Sequence, residues 1–216
     1  MRTLDFLPKT DIHLYQDSDM FRINSDTCAL GEFIQIKKSD IVLDIGTNNG
    51  ALLLYANRLG SKKLIGVDVN GDAIDLCQEN MVLNGIENYE LYKGKVQDLN
   101  IEKVDVILCN PPYFKNSIVN ENEKLKKARH EETLTMEELI YSVSRLLKNG
   151  GSFFCVYKTT EMIRLIVLLD KYNFGITKIK MIFDENKDTS NVFLIEAIKN
   201  RKHNVKAIKP LIISHK

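Results

Sequence analysis

Residues 104–113 read Val104-Asp105-Val106-Ile107-Leu108-Cys109-Asn110-Pro111-Pro112-Tyr113. The apolar run from Val104 to Cys109 predicts a buried strand, and the prolines end it because neither can donate to a β-ladder. A strand stopping here leaves an amide, two rigid backbone carbonyls and an aromatic ring at one edge of a sheet.

Outward from this run, short apolar stretches alternate with helical ones. Residues 41–46 predict a strand ending in a glycine turn, and 51–59 a helix closed by Gly60. Residues 64–68 predict a second strand, 72–83 a helix stopped by Asn84-Gly85, and 89–93 a third strand before 104–109. Residues 133–147 predict a helix with a Thr133-x-x-x-Glu137-Glu138 start and an Asn149-Gly150-Gly151 stop. A strand over 153–157 and a helix over 161–172 complete the alternation, which implies a parallel sheet with helices on both faces. The runs 176–183 and 192–198 are joined by too short a connection for a helical crossover, so they should pair antiparallel. Ser25-Asp26 should cap a helix over 27–33. Residues 1–216 should form one domain, on whose core residues 1–38 pack as an N-terminal extension.

Composition sets broad limits. The 216 residues are 44% hydrophobic and 27% charged, with net charge +1, as in ordinary soluble domains. No run approaches the roughly 20 apolar residues of a membrane helix, and Met1 to Pro8 is not a secretory signal, so a cytoplasmic setting is expected. Cys28, Cys77, Cys109 and Cys155 form no CxxC pair and the histidines are scattered, so no metal is expected. Cys109 and Cys155 lie in apolar runs and should be buried thiols. After Glu196 the chain carries Lys199, Arg201, Lys202, Lys206, Lys209 and Lys216 without an acid. Such a tail either contacts phosphates or is a solvated terminus, although Pro210-Leu211-Ile212-Ile213 should dock on the body. The polar segment 116–132 follows the Asn-Pro-Pro-Tyr run directly and should overhang it.

Asp44-Ile45-Gly46-Thr47-Asn48-Asn49-Gly50 stands between strand and helix, where an open α/β sheet binds its ligand. Gly46 and Gly50 should let backbone approach that ligand, and Asp68 should accept both hydroxyls of a ribose. The dinucleotide pattern is absent because Asn48 holds its middle position, and no Lys-Ser/Thr phosphate loop follows. A nucleoside with an amino-acid tail, S-adenosylmethionine, fits better. A glycine turn after a strand is also plain architecture, and the loop alone leaves both readings open.

Asn110-Pro111-Pro112-Tyr113 suits a planar NH2 group. An aromatic amine is a weak nucleophile because its lone pair is delocalised. The Asn110 side-chain oxygen and the Pro111 carbonyl can accept its two N–H bonds and direct the lone pair outward. Pro112 keeps the backbone rigid, and Tyr113 can stack on the base.

Together these residues resemble the amino-methyltransferases, which carry Asn/Asp-Pro-Pro-Tyr/Phe after the fourth strand. The elements Phe21-Arg22-Ile23-Asn24-Ser25-Asp26-Thr27, Ala128-Arg129-His130-Glu131 and Pro210-Leu211-Ile212-Ile213 extend the likeness to bacterial tRNA adenine-N6 methyltransferases acting on A37 of valine tRNA. The resemblance implies a Rossmann-like class I α/β fold. Its sheet would be mostly parallel and seven-stranded, with an antiparallel C-terminal hairpin. It implies catalysis by Asn110, Pro111, Pro112 and Tyr113. It implies cofactor contacts from Thr27, Asp44, Gly46, Thr47, Gly50, Asp68 and Val96. Lys124, Lys126, Lys127, Arg129, Lys199, Arg201 and Lys202 become candidate RNA contacts, with a solvated charged face as their alternative. tRNA is the implied partner, with no metal, membrane or obligate protein partner. Asn48 and Lys95 depart from the family pattern; with Lys95 after the third strand, backbone near Val96, or Asp98, must hold the adenine. Methylation of a glutamine amide in release factors, or a catalytically silent RNA-binding role on the same fold, are the other readings.

Overall fold

The computed structural model describes residues 2–111 and 134–214. Pro112, Tyr113, Lys124, Lys126, Lys127 and Arg129 therefore lie outside the described residues. Along the chain run β1 (Arg2–Phe6), β2 (His13–Asp17), α1 (Ser25–Phe33), β3 (Ile41–Ile45), α2 (Ala51–Arg58), β4 (Lys63–Asp68), α3 (Gly71–Leu83), β5 (Tyr89–Lys93) and β6 (Val104–Cys109). After the undescribed segment come α4 (Met136–Leu146), β7 (Leu147–Lys158), α5 (Met162–Lys171), β8 (Phe174–Asp184), β9 (Val192–Lys199), β10 (Lys206–Ala207) and β11 (Leu211–Ile213).

The main sheet is nine-stranded, in the order β10-β8-β9-β7-β6-β3-β4-β5, with β11 also on β8. Strand β9 is antiparallel to both neighbours, and the remaining pairs are parallel. This is the expected mostly parallel α/β sheet with its antiparallel hairpin. The seven expected strands are joined by two short ones from the basic tail, which returns along the β8 edge. Pro210-Leu211-Ile212-Ile213 docks there through β11.

Alternate residues of each central strand enter different cores. Leu43, Ile45, Ile107, Phe153 and Cys155 pack with α4 and α5. Val42, Val106, Leu108, Phe154 and Val156 pack with α1, α2 and α3. Burial on both faces is why these strands read as continuous apolar runs rather than alternating ones. Each buried Leu, Val or Phe in these layers contributes about 1.5–3 kcal/mol of transfer free energy.

Helix boundaries depend on caps. Helix α1 is capped by Asn24, whose side chain accepts from the Thr27 N–H, rather than by the expected Ser25-Asp26. Helix α4 is capped by Thr135 in a reciprocal box with Glu138, not from Thr133. Phe33 of α1 meets Phe154 edge-on with ring centres 5.9 Å apart, and a side chain at Gly31 would overlap the Tyr55 ring of α2. That close approach fixes α1 over the sheet.

The sheet also sorts the basic residues. Strands β3, β4, β6 and β7 end at one edge, whereas antiparallel β9 ends at the other, with Ile198 beside Ser152 at the start of β7's core register. Lys199, Arg201 and Lys202 thus stand at the far end of the sheet from Asn110. The Lys199 ammonium donates to the carbonyls of Ser144 and Leu147, satisfying orphan acceptors at the end of α4. The charge expected to meet RNA thus also holds a helix terminus. The backbone of Arg201 and Lys202 packs against Gly175, with their side chains exposed.

Candidate active site

Chain order reverses at β3: the next strands β4 and β5 lie on one side, and β6 on the other. Open α/β sheets bind ligands in the crevice at such a switch point. Ile45 is paired beside Cys109, the last residues of β3 and β6. The Gly46 turn and Asn110 therefore leave the sheet side by side, and that register brings the two sequence motifs into one site.

The first loop is shaped by backbone bonds. The Gly46 and Thr47 N–H groups both donate to the Val67 carbonyl, at 2.9 and 3.1 Å, tying the turn to β4. Gly46 has φ 72°, and a side chain there would enter open space, so its backbone is left bare. Gly50 and Thr47 differ. A Cβ on Gly50 would lie 2.7 Å from Cys77 Sγ, so its absence lets α2 start against α3. Thr47 is 3% exposed and directs its hydroxyl toward Cys77, 4.0 Å away. The Thr47 hydroxyl and the open side of Gly50 thus both serve the packing of α2 on α3.

Asn48 takes φ 47°, a left-handed conformation that asparagine tolerates better than most residues. Its N–H donates to Asp68 Oδ2 at 3.0 Å, while its side-chain amide donates to the Phe21 carbonyl. The departure from glycine thus has a structural reason: Asn48 fastens the segment before α1 across the loop. Phe21 itself is 76% exposed there.

Asp44 is 1% exposed beneath the turn, and its Oδ1 has no hydrogen-bond partner among the described residues. Burial raises its carboxyl to about 7; Thr47 hydrogen bonding opposes this, and the Asp68 charge adds to it. Asp68, half-buried at the end of β4, accepts from the N–H groups of Asn48 and Asn70 at 3.0 and 2.9 Å. Each carboxylate oxygen retains a second lone pair for a ligand hydroxyl. Val69 beside it is 54% exposed, an apolar surface at the crevice that the sequence did not single out.

Val96 is buried, and its backbone is held by a residue the sequence reading missed. Arg145 on α4 donates to the carbonyls of Leu99, Val96 and Gln97 at 2.7, 3.0 and 3.1 Å. One guanidinium so fixes the turn after β5. Lys95, in the position expected to hold an acid, lowers the pKa of Glu138 electrostatically, after the larger effects of the Thr135 N–H and hydroxyl.

Asn110 is half-buried, and its side-chain NH2 donates to Thr27 Oγ1 at 3.0 Å. Thr27, expected among cofactor contacts, is joined here to the Asn-Pro-Pro-Tyr run. Pro111 follows, half-buried.

A family model described as a methyltransferase domain matches residues 36–204. The chain belongs to this methyltransferase domain family. Among curated relatives, the Dyadobacter fermentans protein named tRNA1(Val) (adenine(37)-N6)-methyltransferase is 30% identical over 149 residues, 68% of this chain and 62% of that one. A Cytophaga hutchinsonii protein of the same name is 25% identical over 174 residues, 78% of this chain and 73% of its own length. The chain spans less than two thirds of the length of the relatives it matches at 30% identity. Among solved structures, Methanocaldococcus jannaschii Trm5 in complex with adenosine has a TM-score of 0.69 at 17% identity, covering 94% of this chain and 57% of that one. The Thermus thermophilus 16S rRNA N2 G1207 methyltransferase, in complex with AdoMet and guanosine, has a TM-score of 0.67 at 17% identity, covering 92% and 50%. These likenesses establish the class I methyltransferase fold. Among the described residues, no helix is long and apolar enough to cross a membrane.

Proposed function

We propose that this chain, acting as one methyltransferase domain in the cytoplasm, methylates N6 of adenine in tRNA, at A37 in the anticodon loop of a valine tRNA. The observation that carries the chemistry is the register placing Asn110 beside the Gly46 turn. The choice of adenine, position and tRNA is supported by the names that the relatives carry.

S-adenosylmethionine, when bound, supplies a methyl group on a sulfonium centre. The site fits it on its own evidence. Asp44 offers a buried acceptor with no partner among the described residues, suited to an ammonium group. Gly46 leaves the backbone bare, Asp68 keeps acceptor capacity for ribose hydroxyls, and Val69 presents an apolar surface for a base. Asn110 Oδ1 and the Pro111 carbonyl accept the two hydrogens of the target amine, orienting its lone pair. The sequence adds Pro112, a rigid residue, and Tyr113, a ring of the kind that stacks on a base. No side chain is needed as a strong base, and alignment supplies much of the acceleration. A37 of an anticodon loop is single-stranded, so presenting it requires less unstacking than extruding a base from a duplex.

The test is to incubate the protein with methyl-labelled S-adenosylmethionine and unmodified tRNA, digest the RNA and identify the labelled nucleoside. N6-methyladenosine is expected. Label on a release-factor glutamine, or none on tRNA with the cofactor still bound, would overturn the proposal.

Replacing Asp68 with alanine should weaken S-adenosylmethionine binding by about tenfold or more, through loss of charged hydrogen bonds to the ribose. Calorimetry checks this, and an unchanged affinity would remove Asp68 from the cofactor site.

A further inference from the structure

Three hydrogen bonds link Asn24, Thr27 and Asn110, and only one choice of directions satisfies all three. This chain begins at the Thr27 backbone N–H, which can only donate, and does so to Asn24 Oδ1 at 2.9 Å. Asn24 therefore presents its oxygen, not its NH2. The same oxygen lies 3.0 Å from Thr27 Oγ1 and takes the single hydroxyl proton. With that proton committed, Thr27 Oγ1 faces Asn110 only as an acceptor. Asn110 must direct its NH2 at Thr27, as the 3.0 Å Nδ2 to Oγ1 bond shows. The carboxamide's other end, Oδ1, is then turned away from Thr27.

We infer that Asn24 and Thr27 are positioning residues that set the polarity of the Asn110 carboxamide, so that an acceptor rather than a donor meets the target amine. The inference rests on the proposed methylation of an amino group. An NH2 substrate brings donors, and an Asn110 rotated by half a turn would oppose donors with donors. Rotating it within the intact chain requires the Thr27 proton to leave Asn24, with net loss of one hydrogen bond. The device lies at the first turn of α1, whose N-cap serves at once as helix terminator and as the origin of the polarity. Capping already accounts for the spacing of Asn24 and Thr27; the hydrogen-bond chain gives a reason for the hydroxyl at Thr27, which capping does not need.

Thr27→Val keeps the shape and removes the acceptor. It should lower kcat for tRNA methylation by about tenfold, through loss of one orienting hydrogen bond. Thr27→Ser, which retains the hydroxyl, should restore most of that. In an Asn110→Asp background, where a carboxylate offers an acceptor on either face, Thr27→Val should change kcat by less than about twofold. A merely structural Thr27 would be as costly in both backgrounds. A second readout is independent of turnover. In protein labelled with 15N-asparagine, the Asn110 side-chain NH2 resonances should shift in Thr27→Val and stay in place in Thr27→Ser. Equal kcat for Thr27→Val and wild type, equal losses for the valine and serine variants, or unmoved NH2 resonances in Thr27→Val would each overturn the inference. Wild-type protein inactive on tRNA would instead sink the proposed function, and the resonance measurement would still decide the polarity.

Discussion

Replacing Asn110 by alanine is expected to lower turnover on tRNA by a factor of about 10²–10³, the usual cost of removing one preorganised polar group from a reacting centre. Affinity for S-adenosylmethionine should stay within about twofold, because the removed interaction aligns the target amine rather than the cofactor. The structure separates the two tasks. Asn110 bonds to Thr27 on α1, whereas the groups suited to the cofactor, Asp44 and Asp68, belong to β3 and β4. The fold should survive, since a half-buried side chain with one neutral hydrogen bond contributes only about 1 kcal/mol. Single-turnover methylation with saturating cofactor, alongside calorimetry of cofactor binding, measures both parts. Turnover equal to wild type would remove Asn110 from the reaction. A parallel loss of cofactor affinity would move it into the cofactor site.

Much of the fold could be read from the chain because its central strands are covered on both faces. Ile41 to Ile45 and Val104 to Cys109 are buried along most of their length. Each reads as an apolar run interrupted only by one aspartate, Asp44 or Asp105, before a glycine or asparagine stop. The β1–β2 hairpin escaped notice for the opposite reason. Its strands are mixed in polarity, and its attachment depends on Asn80, a buried α3 side chain that bonds both the N–H and the carbonyl of Tyr15. Local sequence holds no trace of that partnership. Caps were legible as clusters but not as single residues: Asn24, Ser25 and Asp26 are all good N-caps, and packing of α1 selects Asn24.

At the site, sequence located the two loops and β-register brought them together. What it could not assign was direction. Gly46 and Gly50 look equivalent in the loop, yet one faces open space and the other the side chains of α3. Lys199 reads as a free cation of a basic tail, but an antiparallel strand carries it to the far end of the sheet and onto helix carbonyls. Arg145 reads as an ordinary helix residue near the end of α4, and only the fold reveals its three bonds to the turn after β5. In each case the information lies in which elements neighbour one another, a property of topology rather than of spacing.

Cofactor affinity should depend on pH through Asp44. Burial raises its carboxyl to about 7 in the folded protein without ligand. A group whose folded pKa is raised favours the fold while protonated. Stability from this group is therefore fully present below the ordinary carboxylate range and is lost as pH rises toward about 7, at up to about 1.4 kcal/mol per pH unit. A bound ammonium reverses the preference, because an opposite charge favours the carboxylate. Binding below about pH 7 should thus release a proton, and affinity should rise by up to about tenfold per pH unit toward neutrality. Above about 8 it should fall again as the ligand's own amino group deprotonates. Asp44→Asn should bind weakly at every pH and show no rise between pH 5.5 and 7, while the ligand-free variant should gain thermal stability relative to wild type above pH 7. Titration calorimetry in buffers of low and high ionisation enthalpy reads the proton release directly. A wild-type affinity that is flat from pH 5.5 to 7.5 would mean that the orphaned oxygen of Asp44 does not receive the ammonium group, and the cofactor's amino-acid end would have to be placed elsewhere in the crevice.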